Sequence, residues 1–135
     1  MPVLGLSHFN LRASRPLLDK LRDFYVDVVG LRPGFRPPFQ RFGYWLYAGD
    51  THVLHLTEAD ASERQALDVL TTLDHVALRC TGRAEYEARL SQHNVHFKVA
   101  SVPQAQQVQL FFDDPAGNGV ELVFADSDAE PRDAP

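Results

Sequence analysis

The chain is poor in cysteine, in positive charge and in long apolar runs, and each shortage excludes something. A single cysteine, Cys80, in 135 residues rules out an intramolecular disulfide and points to a reducing compartment rather than secretion. Thirteen Lys+Arg against eighteen Asp+Glu leave a formal charge of −5. That is the wrong sign for the basic footprint a nucleic-acid partner requires. No apolar run approaches the roughly 20 residues of a transmembrane helix. Residues 1–6 lack the basic start and long apolar core of a signal peptide. The expectation is a cytoplasmic protein with a small-molecule substrate and with no nucleic-acid or membrane partner. Also missing are a serine nucleophile elbow, a phosphate-binding glycine loop, zinc-finger spacing and a dinucleotide fingerprint.

What is present suits one small domain or two fused modules: 44% apolar and 23% charged residues, enough to bury a core without covalent staples. Residues 3–11 alternate weakly and read as a strand. Ser14 as a cap, Pro16 in the first turn, apolar residues from Leu17 to Val28 at helical spacing and a stop at Gly30 predict a helix. Residues 31–36 run on to Pro37-Pro38, which breaks any regular element. Strands are predicted at 43–48 and 51–57, joined by a Gly49-Asp50 turn. A polar connection with a helical possibility at 62–70 follows. The pattern then repeats: a strand at 73–80, a helix at 81–93 ended by Asn94, a strand at 95–99, and strands at 108–113 and 120–124 joined by a tight turn. Within that turn Gly117, Asn118 and Gly119 are all able to take positive φ. The acidic segment 126–135 reads as disordered.

The order β-α-β-β-β, connector, β-α-β-β-β is that of a duplication. The residues support it directly. Leu6-Ser7-His8-Phe9-Asn10-Leu11-Arg12 matches Leu73-Asp74-His75-Val76-Ala77-Leu78-Arg79 at Leu, His, Leu and Arg, and Leu54-His55-Leu56 matches Val120-Glu121-Leu122 in pattern. The His8-to-His55 and His75-to-Glu121 spacings differ by one residue. Side chains alternate across a strand, so His8, His55, His75 and Glu121 each lie opposite an apolar face. Helices at 14–29 and 81–93 can cover the apolar faces, leaving three imidazoles and a carboxylate for a groove. Such a set suits a divalent first-row metal. Strand parity turns His52 away from His55. His93 is read as a helix-end residue, His96 as a strand residue without a partner, and Cys80 as a buried, inert thiol.

These segments, together with Phe24-Tyr25-Val26-Asp27-Val28-Val29-Gly30-Leu31 and Asp114-Pro115-Ala116-Gly117-Asn118-Gly119-Val120-Glu121-Leu122, resemble the vicinal oxygen chelate superfamily (the glyoxalase, bleomycin-resistance and extradiol-dioxygenase fold) over about residues 3–125. The resemblance implies an α+β fold of two βαβββ modules, at 1–60 and 73–125, with a connector at 61–72 and a tail at 126–135. Each curved mixed sheet forms a cleft with its helix outside. It implies metal ligands His8, His55, His75 and Glu121, with zinc, iron, nickel, manganese or cobalt as the divalent ion. Histidine at position 55 departs from the Glu or Gln of glyoxalase I, so His55 is either a fourth ligand or an acid/base beside the metal. Glu121 is the first choice of catalytic base and His55 the second. Asn10, Trp45 and Tyr47 are candidate pocket residues, and Arg12, Arg36 and Arg41 can meet an anion. The activities implied are a metal-dependent lyase or isomerase on a small oxygenated substrate, an Fe(II) extradiol-type dioxygenase on a catechol-like ring, or metal-free sequestration of a small molecule. The resemblance also implies a homodimer.

Overall fold

A computed structural model describes residues 1–63 and 71–127, which fall into two compact units, Met1–Ala66 and Leu67–Pro135. Most of the helical possibility at 62–70, and all but the start of the 126–135 tail, lie outside the described residues.

The first unit runs β1 (Phe9–Ala13), α1 (Arg15–Asp27), β2 (Arg32–Gly34), β3 (Gly43–Ala48) and β4 (Thr51–Glu58). Its sheet order is β1-β4-β3-β2, with β1 parallel to β4 and the other pairs antiparallel. The second unit runs β5 (His75–Arg79), α2 (Arg83–Gln92), β6 (Lys98–Val102), a 3-10 turn at Pro103–Ala105, β7 (Gln107–Asp113) and β8 (Gly119–Ala125). Its sheet order, β5-β8-β7-β6, is the same topology with the same parallel outer pair. The duplication is therefore a repeat of the βαβββ fold, and the fold class is α+β.

In the first unit, Leu18, Leu21 and Tyr25 form the buried stripe of α1 and meet Leu46, Leu54 and Leu56 of the sheet. Ser14 stands at the helix start, but its side chain makes no capping bond; its carbonyl accepts from Leu18 N at 2.8 Å. Gly30, at φ +91°, turns the chain so that Leu31 N reaches Tyr25 O at 2.9 Å and closes the helix. Tyr44 clamps the sheet to α1, donating to Asp19 at 2.7 Å and accepting from Arg22 at 2.9 Å. In the second unit, α2 presents buried Leu90, and its Tyr86 ring packs against buried Phe124. Asn94, at φ +58°, ends the helix as expected.

Several expectations need correction. The first strand begins at Phe9, not at residue 3, so His8 stands just before it. The reason is the register: Phe9 faces Leu54, and the next positions on β4, Val53 and His52, form a bulge that stops the parallel ladder. β5 likewise begins at His75, opposite Gly119, the first residue of β8. β6 starts at Lys98 rather than at residue 95, because Val95 N bonds back to Leu90 O at 2.9 Å and residues 95–97 become the exit from α2. His96 is therefore not a strand residue. In the β7–β8 turn only Gly117 takes positive φ. The turn is set instead by buried Asp114, which accepts from the backbone N–H groups of Ala116 and Asn118 and from the Asn118 side chain. Cys80 is half-buried rather than buried.

Candidate functional site

In the first unit the bulge decides the site. Trp45 faces His55 and Leu46 faces Leu54, but Ala48 faces Thr51, so His52 and Val53 together oppose Tyr47. The extra residue resets the alternation. His52 therefore does not point away from His55, as strand parity predicted: its Nδ1 lies 2.8 Å from His55 Nε2, and one of these nitrogens donates its N–H to the other. His8 stacks on His55, the ring centres 3.7 Å apart and the rings tilted by 16°. Trp45 stacks on both other rings, 4.2 Å from each. Ser7 Oγ meets His8 Nδ1 at 3.0 Å. One ligand nitrogen from each of His8, His52 and His55 lies within 4.8 Å of the others. His55 is only 8% exposed. Burial first, then Coulombic interaction with His8, His52 and Arg36, lowers its pKa to about 4, so it is a neutral imidazole at neutral pH. A cleft of about 520 Å³ opens beside it, lined by Asn10, Arg36, Phe39, Trp45 and Thr57 among others. Asn10 donates to Thr57 at 2.9 Å, and the Arg36 guanidinium lies over the Phe39 ring at 4.9 Å. Arg41 is tied to Asp60 and Glu63 and Arg12 to Glu63, whereas Arg36, which lines the cleft, has no ion-pair partner among the described residues. Tyr47 donates to Phe35 O at 2.5 Å and meets His52 edge-on, whereas Trp45 lines the cleft itself.

In the second unit the equivalent point holds His75 and Glu121. His75 Nε2 lies 3.0 Å from Glu121 Oε1, and His75 Nδ1 lies 2.7 Å from Asp74 Oδ2. An imidazole between two carboxylates donates to both only when protonated. The bond to Asp74, aided by the charge of Glu121, accordingly raises the pKa of His75 against the opposing effect of desolvation. Glu121 is 5% exposed, and its other oxygen accepts from Gln109 at 3.3 Å. Gly119 allows the close approach: a Cβ there would collide with Asp74 O and stand 3.0 Å from the His75 Cβ.

The two sets share one register. His55 pairs with Asn10, two residues beyond His8, and Glu121 pairs with Ala77, two residues beyond His75. His8 and His55 are thus gathered in the first unit and His75 and Glu121 in the second. The donors fit a first-row metal. At bond lengths of about 2.0–2.1 Å, two ligand nitrogens stand about 2.9 Å apart at right angles and about 3.4 Å apart at the tetrahedral angle. The His52–His55 and His75–Glu121 contacts, at 2.8 and 3.0 Å, lie within about 0.6 Å of the tetrahedral value, so a small side-chain movement brings each pair to ligand spacing. Asp74 on the far nitrogen of His75 is the arrangement that orients a ligating histidine.

The family model of the Glyoxalase/Bleomycin resistance protein/Dioxygenase superfamily matches residues 5–122. The chain belongs to this superfamily. Among solved structures, it is similar to a glyoxylase/bleomycin resistance protein/dioxygenase domain from Frankia sp. EAN1pec, with a TM-score of 0.72, 18% identity, and 92% of this chain and 99% of that one covered. It is also similar to a lactoylglutathione lyase from Agrobacterium tumefaciens, with a TM-score of 0.63, 23% identity, and 92% and 96% covered. A third relative is a mutant of the genomically encoded fosfomycin resistance protein FosX from Listeria monocytogenes, complexed with Mn(II) and 1S,2S-dihydroxypropylphosphonic acid (TM-score 0.66, 17% identity, 92% and 94% covered). At these identities the likeness to the solved structures is one of fold. No functionally curated protein matches the chain.

Sequence reasoning missed His52, Asp74 and Gln109. His52 had a signal, the His-x-x-His spacing directly after a two-residue turn, where a bulge is the one device that brings both rings to one face. Asp74 had the adjacent Asp-His pair. Gln109 had none, since its relation to Glu121 runs across β7 and β8.

Proposed function

We propose that the protein is a metal-dependent enzyme of the lyase/isomerase type acting on a small oxygenated substrate, with His8, His55, His75 and Glu121 as its metal ligands. The observation that carries this reading is the shared register: each βαβββ module sets a histidine at the head of its first strand against a ligand-competent side chain on its last. One half-set from a first module and one from a second complete four ligands, drawn from the same chain or from the two chains of a homodimer.

A divalent metal bound there supplies Lewis-acid polarisation of a substrate oxygen. The protein's own groups do the rest. Glu121, buried and accepting from His75 and Gln109, takes the proton from the substrate carbon and returns it to the neighbouring carbon. His55, neutral at pH 7, is the second base. Trp45 and Phe39 wall the cleft and exclude water, and Arg36 and Asn10 orient a substrate that carries an anionic or carbonyl oxygen.

The test is the metal content of protein purified without chelator, repeated on His75→Ala and Glu121→Ala. Near-stoichiometric metal in the parent, with activity on an α-oxo aldehyde or epoxide panel lost in both variants, is the expected result. A parent that holds no metal before or after reconstitution overturns the reading in favour of small-molecule sequestration. Oxygen uptake with a catechol panel, dependent on iron, replaces it with the dioxygenase reading.

A further inference from the structure

We infer that the first unit carries a metal site of its own, made by three imidazoles, His8, His52 and His55, in which His52 is a direct ligand. The inference rests on the metal-dependent reading above and adds His52 to its first-unit ligands; His52 has no counterpart in the repeat, since the second unit places the β7–β8 turn where the bulge of β4 stands.

Three observations support it. First, the bulge at His52–Val53 resets the alternation of β4 and brings His52 to the face of His55. Bulges re-aim side chains in this way beside functional sites. Second, the ring nitrogens are near one another. His52 Nδ1 and His55 Nε2, hydrogen-bonded at 2.8 Å, need to open by only about 0.6 Å to reach the tetrahedral ligand spacing of about 3.4 Å. All three ligand nitrogens fall within 4.8 Å. His8, the exposed member, needs to close by about 1.5 Å to reach ligand spacing, a side-chain movement. Third, the rings are held in place. Trp45 stacks on His52 and His55, His8 stacks on His55, and Ser7 occupies Nδ1 of His8, which leaves Nε2 as its ligand atom.

The chemistry of the set is specific. Three neutral imidazoles carry no charge, so the bound ion keeps its full positive charge and open positions for an anionic oxygen ligand. Imidazole favours zinc, copper, iron and nickel, whereas manganese and magnesium favour carboxylate and water. The first unit is therefore expected to select the former group, with the cleft beside Arg36 receiving the anion.

The test uses the full chain with both His75→Ala and Glu121→Ala in place, which removes the second-unit ligands. Zn(II) and Co(II) are titrated by equilibrium dialysis, with Trp45 emission and the Co(II) visible spectrum as readouts. Trp45 is the only tryptophan and stacks on two of the proposed ligands. The expected result is one equivalent bound by the double variant, more weakly than by the parent, which keeps His75 and Glu121. Adding His52→Gln is expected to weaken it by about 100-fold or more. Ring 15N resonances of His52 in the double variant supply a second readout that needs no further substitution: a large shift of Nδ1 on Zn(II) binding is expected. If the parent binds metal and the double variant does not, or if His52 shows no shift, the inference falls and the four-ligand reading stands. If the parent binds no metal, both fall.

Discussion

Acidifying the metal-free protein from pH 7 to pH 4 should destabilise the first unit through one residue, His55. In the folded protein its pKa is lowered to about 4, whereas an unfolded histidine titrates near 6.5. Between these values the unfolded chain binds a proton that the folded chain refuses, so stability falls as pH falls through this window and levels off below it. At about 1.4 kcal/mol for each pH unit of separation, the full loss is about 3 kcal/mol. That is a large share of what holds a unit of this size, at roughly 0.05–0.15 kcal/mol per residue. Urea unfolding in the presence of a chelator, followed by Trp45 emission, isolates the first unit, because the only tryptophan lies there. With a denaturant slope of about 1–3 kcal/mol/M, the midpoint should drop by about 1–3 M. His55→Gln removes the titrating ring, so its midpoint should change far less over the same range. An equal drop in parent and variant would show that general carboxylate protonation, not the buried imidazole, sets the acid limit, and would refute the reasoning.

The second unit should behave with the opposite sign. His75 is held protonated by Asp74 and Glu121, so the stability it contributes is complete below pH 6.5 and is lost as pH rises through its raised folded value; Asp74→Asn should move the His75 titration, followed by NMR, back toward 6.5. Leu56→Ala removes a fully buried side chain where β4 meets α1 and should cost about 2–5 kcal/mol in urea unfolding, with no such cost for a change at exposed Phe35. Light scattering at micromolar concentration should give a dimer; a monomer counts against the shared-site arrangement.

Much of the architecture follows from local chemistry alone. The aromatic run Tyr44 to Tyr47, the Gly49-Asp50 turn and the alternating Thr51 to Thr57 could only be a hairpin, and the structure has β3 and β4 within a residue of those bounds. The Leu-x-His-x-x-Leu-Arg repeat marked the duplication, because two copies of one topology need the same residues at the same strand positions. His75 and Glu121 were legible for the same reason: their strands keep regular alternation, so parity puts each opposite an apolar row. His52 was not legible. Its direction depends on how many residues of β4 oppose β3, and that register is settled by the pairing of two strands rather than by either one. The start of β1 is lost to the same bulge, which takes away the partner positions that His8 would need. Asp74 and Gln109 became site residues only when β5, β7 and β8 lay side by side. The sequence alone determined which side chains offer ligand or base chemistry and, for His55, His75 and Glu121, which strands carry them. Only tertiary pairing decided which of those side chains meet, because a one-residue bulge reverses every orientation that alternation predicts beyond it.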